Sequence, residues 1–325
     1  MDRIDPVDAR ILDGFQRDLP PVPRPFAAMS ARLDLTEDEV IARLRRLVAE
    51  GMVARVGATV RPNTAGASTL AALAVPEDRL DAVAAQVGRE PGVNHSYQRE
   101  HDWNLWFVAT APDAPALAAT LARIGAATGL PVLDLPLLRA FNIDLGFPLA
   151  GGSRVMPLTA DADAGVLRAD DRPILHALSA GLDLVPEPFA ALALRLGRTE
   201  ADVLDRVRLL ARARVLSRLG VIVRHRPLGW TANAMVAWQV DDGRIDAAGG
   251  ALARHPGVTL CYRRRTLPGV WDWGLFCMIH GRSRAEALAV LDAAARLPDL
   301  AQSPRQVLFS TRCFKQTGAR IAEAA

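Results

Sequence analysis

An internal repeat constrains this chain more than any other feature of its sequence. Residues 11–61 align without gaps on residues 174–224, and 21 of the 51 paired positions are identical. A weaker match continues beyond these segments, so each copy is about 140–150 residues long and the chain holds two of them. Such a duplication predicts two similar structural units in tandem.

The first part of each copy predicts three helices and a wing. In the first copy, apolar spacing predicts a helix over 6–17, and Pro25 lies just inside the start of a second helix. Thr36 and Glu39 form a capping box that opens a third helix. Residues 53–61 then predict a short β-hairpin. Three helices and a hairpin make a winged helix-turn-helix.

The second part of each copy predicts the order βαββαβ of a ferredoxin-like fold. Its predicted elements are 68–75, 77–90, 93–100, 103–110, 115–128 and 132–142 in the first copy, and 232–240, 244–255, 258–265, 271–280, 283–296 and 304–315 in the second. The predicted fold class is therefore α+β, with two tandem units, each a winged helix-turn-helix followed by a ferredoxin-like domain. The predicted domains are winged helices at 1–62 and 167–226, ferredoxin-like domains at 63–147 and 227–325, and a linker at 148–166.

Charge and cysteine content argue against several classes of protein. The formal net charge is only +3, and the three cysteines are widely spaced, which argues against a disulfide framework and fits a reducing cytoplasm. Charged residues interrupt every apolar stretch, and the N-terminal residues lack the apolar segment of a signal peptide. We therefore expect a cytoplasmic protein without membrane spans. The sequence contains no phosphate-binding loop, dinucleotide-binding motif or zinc-protease motif.

The candidate chemistry is concentrated in residues 92–107. Alternate residues of a strand share one face, so we expect His95, Tyr97 and Arg99 to point the same way, with His101 joining them if the strand continues. The plain structural interpretation is an exposed polar face. The neighbouring aromatic residues are Trp103, Trp106 and Phe107. They favour instead a cavity that is partly apolar and partly ionisable.

The second copy keeps only part of this row. Tyr262 and Arg264 match the tyrosine and arginine of the first copy, whereas Leu260 and Thr266 stand where that copy has histidines. Because only the first copy has histidines at these positions, we expect the two copies to have different roles in the site. The first copy would supply proton-transfer groups, and the second would supply arginines and aromatic side chains that bind the substrate.

A winged helix followed by βαββαβ resembles the Lrp/AsnC family, whose members are mostly amino-acid-responsive transcription regulators. The resemblance implies that the two ferredoxin-like sheets pack together as a pseudo-dimer within one chain. Regulators need a basic recognition helix, yet residues 36–50 carry a net charge of −1 and residues 199–214 one of +1. We therefore expect no specific DNA binding.

Several longer segments resemble a branch of that family, the siroheme decarboxylases of heme d1 and alternative heme biosynthesis. They are HSYQREHDWNLWF and RAFNIDLGFPL in the first copy, and CYRRR, WDWGLFCMIHGR and RCFKQTGAR in the second. The resemblance covers nearly the whole chain, including its two-copy arrangement. The copies differ at Asn142, where the second copy has Lys315, so a role for this lysine would belong to the second copy alone.

The resemblance implies that siroheme is the substrate and that its acetate side chains at C12 and C18 lose carbon dioxide, giving 12,18-didecarboxysiroheme. The candidate catalytic residues are His95, Tyr97, Arg99 and His101. The candidate substrate-binding residues are Asn104, Trp106, Tyr262, Arg263, Arg264, Arg265, Trp273 and Lys315. The macrocycle can act as the electron sink, so no cofactor or added metal is expected. Two alternatives stay open, a ligand-sensing regulator and a tetrapyrrole carrier, as do a paralogous decarboxylase partner and further association of chains.

Overall fold

The computed structural model describes residues 4–143 and 161–319. These residues fall into two compact units. The helical unit contains residues 4–65 and 161–229, and the barrel unit contains residues 66–143 and 230–319. Each unit therefore combines matching parts of both sequence copies.

Apart from the wing, the elements follow the predicted order in both copies. The helices are α1 (Pro6–Gly14), α2 (Pro25–Leu33), α3 (Glu37–Ala49), α4 (Leu80–Arg89), α5 (Ala114–Thr128), α6 (Arg172–Ala180), α7 (Pro188–Leu196), α8 (Glu200–Arg212), α9 (Ile245–Arg254) and α10 (Arg284–Ala294). The strands are β1 (Val53–Val60), β2 (Ala67–Leu73), β3 (Val93–Arg99), β4 (Leu105–Ala111), β5 (Leu133–Asn142), β6 (Leu216–Val223), β7 (Ala232–Trp238), β8 (Val258–Arg264), β9 (Leu275–Gly281) and β10 (Arg305–Gln316).

The helix starts in the helical unit follow from local sequence. The Thr36 backbone N–H donates to the Glu39 carboxylate at 2.7 Å, and the Glu39 N–H donates to the Thr36 hydroxyl at 3.3 Å, which closes the predicted capping box. Helix α3 ends before Gly51, whose φ of +75° suits a residue without a side chain. The amphipathic pattern then buries one face of α3, with Val40 and Leu44 in the core.

The predicted hairpin at 53–61 is wrong. Residues 53–60 form one strand, β1, which pairs antiparallel with β6 of the other copy to make a two-stranded sheet. A segment of nine residues is too short for two useful strands and a turn, whereas the equivalent strand of the second copy satisfies the backbone groups of β1 along most of its length. The wing is therefore shared between the copies.

The barrel unit is an eight-stranded closed barrel with the order β10-β3-β4-β2-β5-β8-β9-β7. Strands β5 and β10 close it, because each pairs with its own copy through its first half and with the other copy through its second half. Strand β5 pairs with β2 and then β8, and β10 pairs with β7 and then β3. The expectation that the two ferredoxin-like sheets face each other is confirmed.

This exchange also ties the cores together. Phe141, near the end of β5, packs into the core that α9 and α10 make with the second sheet. Gly249 of α9 leaves the space for it, since a Cβ atom there would lie 2.3 Å from the Phe141 ring. A close approach of helix and strand therefore requires glycine at this position.

Alternation along the strands separates two kinds of core in the barrel unit. Residues on the outer face pack beneath the helices of their own copy, except at the exchanged ends of β5 and β10, where Phe141 and Phe314 pack against the core of the other copy. Residues on the inner face come from both copies and meet in one cluster, which contains Trp106, Leu135, Met235, Phe276 and Leu308. The interior of the barrel is therefore where side chains of the two copies meet.

Among the described residues, no helix has both the length and the apolar character needed to cross a membrane. Of the predicted linker at 148–166, only residues 161–166 belong to the described part, and they include a short 3-10 turn at Ala164–Val166. Residues 148–160 lie outside the described residues.

Candidate active site in the barrel interior

Three residues of the predicted polar row share the inner face of β3. His95 pairs with Val108, and Tyr97 pairs with Trp106, whose side chain belongs to the interior cluster. The His95 and Tyr97 rings lie 6.3 Å apart between centroids, and the Arg99 guanidinium carbon lies 5.6 Å from the Tyr97 ring centroid. The shared direction of the three side chains is confirmed.

Arg99 is buried against the second copy. One of its terminal nitrogens donates to the Leu308 carbonyl at 3.0 Å and to the Asn233 side-chain oxygen at 3.1 Å. Its residue exposure is 6%. A guanidinium held in this way keeps a fixed orientation in the barrel, which suits recognition of a carboxylate.

The contacts of Asn233 extend deeper into the second copy. Its amide nitrogen lies 2.6 Å from His280 Nε2, and His280 Nδ1 lies 2.8 Å from the Thr259 hydroxyl. Sequence reasoning did not single out Asn233 and left the role of His280 open. Strand alternation offered a signal, because His280 has the same parity as Phe276 of the interior cluster.

The second copy presents a similar pair of residues from β8. The Arg264 guanidinium carbon lies 5.1 Å from the Tyr262 ring centroid, and one terminal nitrogen donates to the Leu135 carbonyl at 3.0 Å. Burial lowers the pKa of Arg264 to about 10 and raises the pKa of Tyr262. Within the described residues Arg264 has no carboxylate in ion-pair contact, so a bound anion would complete its surroundings.

His95 is oriented by its neighbour on the same strand. His95 Nδ1 lies 2.6 Å from the Asn94 side-chain oxygen, and the Asn94 amide nitrogen donates to the Thr110 hydroxyl at 3.3 Å. Because the amide oxygen only accepts, Nδ1 carries the hydrogen of this bond. Nε2 is therefore the ring nitrogen that can gain or lose a proton.

His101 does not join the row, because β3 ends at Arg99. Its Nδ1 accepts a hydrogen bond of 3.0 Å from the Trp103 backbone N–H, and its ring packs edge-on against Trp271 at 5.4 Å. Burial lowers the pKa of His101, and the nearby Asp102 carboxylate opposes this only in part. The neutral imidazole is thus favoured here.

The predicted aromatic residues form packed walls rather than one open surface. Trp106 and Trp271 are each 1% exposed and meet edge-on at 5.1 Å between centroids. Their indole nitrogens donate to the Trp103 and Trp273 carbonyls at 2.6 Å and 3.0 Å. Trp273 is only partly buried beside this cluster. It is thus better placed than Trp106 to contact a ligand.

Asn104 has a local contact that sequence reasoning did not foresee. Its side-chain oxygen accepts from the Val75 N–H at 2.9 Å, and its amide nitrogen donates to the Val75 carbonyl at 2.8 Å. These two bonds tie the start of β4 to the end of β2. Contact of Asn104 with a substrate stays a prediction.

Two of the arginines expected beside Arg264 lie elsewhere. Arg263 alternates to the outer face of β8 and donates to Asp242 at 2.7 Å. Arg265 is exposed beyond the end of β8 and donates to Asp134 at 3.0 Å. Neighbouring residues of a strand point to opposite faces, so the structure does not bring Arg263 and Arg265 together with Arg264, and their contact with a substrate stays a prediction.

Lys315 also faces outward. It pairs with Ser96 on the face of β3 that packs beneath α4, and its ammonium donates to the Gly88 carbonyl at 2.7 Å. A cation at the C-terminal end of a helix is favoured by the helix dipole. The structure therefore does not bring Lys315 together with His95, Tyr97 and Arg99.

The cysteines do not form a site. Cys261 and Cys277 are buried free thiols, and burial raises the pKa of Cys277 to about 12, which suits inert core residues. Cys313 is an exposed thiol in its reduced form. In the described part of the chain, no three His, Cys, Asp or Glu side chains gather as ligands for a metal ion.

Arginines of the two predicted recognition helices are held within the helical unit. Arg43 of α3 donates to the buried Asp8 at 2.9 Å, and Arg206 of α8 donates to the buried Asp171 at 2.8 Å. These pairs occupy equivalent positions of the repeat. Arginines paired in this way are less available to grip phosphates.

Comparison with known proteins assigns both parts of each copy. Residues 65–142 and 227–315 match the model of the AsnC-like ligand binding domain, and residues 8–53 and 171–216 match the siroheme decarboxylase NirDL-like HTH domain. The NirDL subunit of siroheme decarboxylase from Paracoccus denitrificans strain Pd 1222 is 65% identical over 322 residues, which cover 99% of each chain. The NirD subunit from Stutzerimonas stutzeri is 50% identical over 150 residues, which cover 46% of this chain and 99% of that subunit.

A solved structure with a bound ligand is also similar. It is siroheme decarboxylase NirDL in complex with an iron-uroporphyrin III analogue, with a TM-score of 0.69 and 27% sequence identity. The match covers 98% of this chain and 95% of that one. Similarity over the full length of both chains extends to the two-copy arrangement.

Proposed function

This chain belongs to the siroheme decarboxylase family, and we propose that it removes carbon dioxide from the C12 and C18 acetate side chains of siroheme to give 12,18-didecarboxysiroheme. The observation that carries this proposal is the 65% identity to a siroheme decarboxylase subunit over 99% of both chains. The barrel interior supports it, because arginine, tyrosine and histidine side chains of both copies converge there beside a cluster of aromatic residues.

The substrate's carboxylates would bind to the two tyrosine–arginine pairs. Arg99 and Arg264 come from opposite copies, and each is anchored through one terminal nitrogen to a backbone carbonyl of the other copy. Guanidinium groups bind carboxylates through charge-assisted hydrogen bonds, which are stronger in a site shielded from water. Two anchored arginines would therefore orient a flat, polycarboxylated macrocycle between the sheets.

We assign the proton transfer to His95 rather than His101. Loss of carbon dioxide leaves carbanion character on the side chain, which must be protonated, and histidine is the usual general acid near neutral pH. His95 keeps its Nδ1 hydrogen in the bond to Asn94, so the imidazolium form, protonated at Nε2 from solvent, would deliver the Nε2 proton to the carbanion and return to the neutral ring. At His101, protonation would break the bond from the Trp103 N–H, and burial also lowers its pKa. Tyr97, stacked on His95, would hydrogen-bond a carboxylate or relay a proton.

The delocalised macrocycle would hold the electron pair that the departing carbon dioxide leaves behind. The proposal therefore includes no pyridoxal, thiamine or added metal ion. Siroheme itself brings iron, and in this scheme the protein's own residues bind, orient and protonate the substrate.

The second candidate function is a ligand-sensing transcription regulator. The winged helices favour it, but the arginine pairs of α3 and α8 with buried aspartates weigh against a phosphate grip. A tetrapyrrole carrier would use the same barrel without turnover.

A paralogous subunit could act together with this chain, because related NirD subunits have the length of one copy. A fused chain supplies both halves of the barrel by itself.

The test is anaerobic incubation of the purified chain with siroheme, followed by mass analysis of the tetrapyrrole. The proposal expects loss of two carboxyl units as carbon dioxide from the chain acting alone. Unchanged siroheme that stays bound would favour the carrier. Turnover only after addition of a paralogous subunit would restrict the proposal to a joint enzyme.

A further inference from the structure

A chain of hydrogen bonds connects Arg99 to the second copy, and its direction can be deduced. A guanidinium group only donates, so the Asn233 side chain must turn its oxygen toward Arg99. The Asn233 amide nitrogen then faces His280 Nε2 at 2.6 Å. Because that nitrogen only donates, His280 Nε2 must accept.

The direction continues without a break beyond His280. With Nε2 accepting, the ring hydrogen of the neutral imidazole lies on Nδ1 and is donated to the Thr259 hydroxyl at 2.8 Å. The Thr259 hydroxyl donates in turn to the Met278 carbonyl at 3.1 Å. Each donor in this series therefore meets an acceptor, from Arg99 to the backbone of β9.

Burial of this network favours the neutral form of His280. Arg99, Asn233 and His280 are 6%, 6% and 4% exposed. An imidazolium at His280 would place a second cation near a buried guanidinium and would oppose the Asn233 N–H with a ring N–H. The neutral Nδ1–H form of His280 is thus the one that keeps the Asn233 oxygen directed at Arg99.

The repeat shows that this network belongs to one half of the barrel. The equivalents of Asn233 and His280 in the first copy are Ser68 and Thr110, which have neither the amide nor the imidazole of this series. The equivalent arginine, Arg264, bonds to the Leu135 carbonyl within the described residues. The asparagine and the histidine therefore distinguish the surroundings of the two arginines.

We propose that Asn233 and His280 are positioning residues that orient Arg99 toward a substrate carboxylate. This inference rests on the proposed function, in which Arg99 binds siroheme. His280 acts through Asn233 and is not the proton donor, because its ring hydrogen is held by Thr259. The second copy thereby contributes to catalysis by fixing an arginine of the first.

The first test is a double-mutant cycle on siroheme affinity, read from the absorption spectrum of the bound tetrapyrrole. Asn233→Ala should weaken binding about tenfold in the parent, as expected for a lost hydrogen bond to a charged group, but less than about twofold in Arg99→Ala. Thr259→Val, a gentler change at the far end, should weaken binding in the same direction and should also lose its effect in Arg99→Ala.

Thr69→Val is the matched control. Thr69 is buried on β2, the strand equivalent to β7, and its hydroxyl donates to Asp134. Its effect should be the same in both backgrounds. Equal losses for Asn233→Ala with and without Arg99 would overturn the proposal.

A second measurement needs no substrate. Nitrogen-15 NMR of histidine side chains in the unmutated protein should show His280 as the neutral Nδ1–H tautomer near pH 7, with His280→Gln identifying its signal. Arg99→Ala should allow a mixture of tautomers. An Nε2–H tautomer or an imidazolium in the parent would refute the network even if siroheme is decarboxylated. Failure to decarboxylate siroheme, with the expected tautomer present, would instead refute the proposed function.

Discussion

Gly57 on β1 pairs directly with Gly220 on β6, and the two glycines are equivalent positions of the sequence repeat. A Cβ atom on Gly57 would lie 2.4 Å from the Leu178 carbonyl oxygen, and one on Gly220 would lie 2.4 Å from the Phe15 carbonyl oxygen. Phe15 and Leu178 are again equivalent in the repeat. A local two-fold axis therefore passes through the pairing of the two strands. At this point backbone carbonyl groups occupy the space that side chains at positions 57 and 220 would need.

Substitution at this pairing should destabilise the helical unit. Gly57→Ala places a methyl group against a backbone oxygen that cannot move alone, and we expect a loss of about 1–3 kcal/mol in the free energy of unfolding. Urea unfolding measures it. Gly14→Ala is the control, because a Cβ atom there meets nothing within 4 Å. Equal stability of the two variants would contradict this account of the pairing.

The two histidines of the first copy should differ in their effects on turnover. His95→Ala should lower single-turnover decarboxylation by about 10²–10⁴-fold while changing siroheme affinity little, because the proton is needed only in the transition state. His101→Ala should lower turnover less. Tyr262→Phe in the second copy should also cost less than His95→Ala. Parent rates in His95→Ala would assign the proton to another group.

Two neighbouring arginines of β8 allow the inner and outer faces of the barrel to be tested separately. Arg264→Ala should raise the dissociation constant of siroheme about tenfold or more, because an anchored guanidinium facing the interior is lost. Arg263→Ala should change it less than about twofold, since Arg263 is paired with Asp242 on the other face and exposed pairs contribute little. Spectral titration of both variants measures this. A larger loss for Arg263→Ala would restore the prediction made from the sequence.

The buried ion pair of Asp171 and Arg206 should make the stability of the helical unit depend on pH. Burial alone would raise the pKa of Asp171, but the hydrogen bonds from Arg206 and from the Arg168 backbone outweigh it and lower that pKa below 3.8. Its contribution to stability is therefore complete above about pH 5, where the same carboxyl is also ionised in the unfolded chain, and is lost as the pH falls through the lowered value.

Asp171→Asn should reduce the free energy of unfolding at pH 7 by about 3–5 kcal/mol, because Arg206 loses its buried counter-charge. The variant has no carboxyl to protonate at this position, so its stability should not fall with the titration of Asp171. Its free energy of unfolding should therefore approach that of the parent at low pH. Urea unfolding at several pH values measures both effects. Asp170→Asn, at a carboxylate that is itself exposed and pairs with Arg198 at 3.3 Å, is the control and should change stability by at most about 1 kcal/mol.

DNA binding tests the alternative function. Arginines of α3 and α8 are engaged with Asp8 and Asp171, so we expect no sequence-selective complex at about 0.15 M salt. Fluorescence anisotropy with DNA from the chain's own genomic neighbourhood, with random duplex as the control, measures it. Nanomolar and selective binding would support the regulator.

Strand alternation predicted correctly that His95, Tyr97 and Arg99 share a face, because this depends only on the two-residue period of a strand. The same rule, applied to Arg263, Arg264 and Arg265, would have shown that they diverge. The role of His101 depended on where β3 ends, and strand ends are poorly specified by local pattern. The end at Arg99 follows from the Arg99 N–H bonding to the Asn104 carbonyl across the turn.

The sequence by itself determined the duplication, the order of elements in each copy and the inner face of β3, since all three follow from local periodicity and from identity between the copies. Only the tertiary structure decided how the copies combine. The pairing of β1 with β6, the pairing of β5 with β8 and of β10 with β3, and the bond from Arg99 to Asn233 join residues at least 119 positions apart. Such contacts depend on the closure of the barrel and on burial, and no local pattern encodes them.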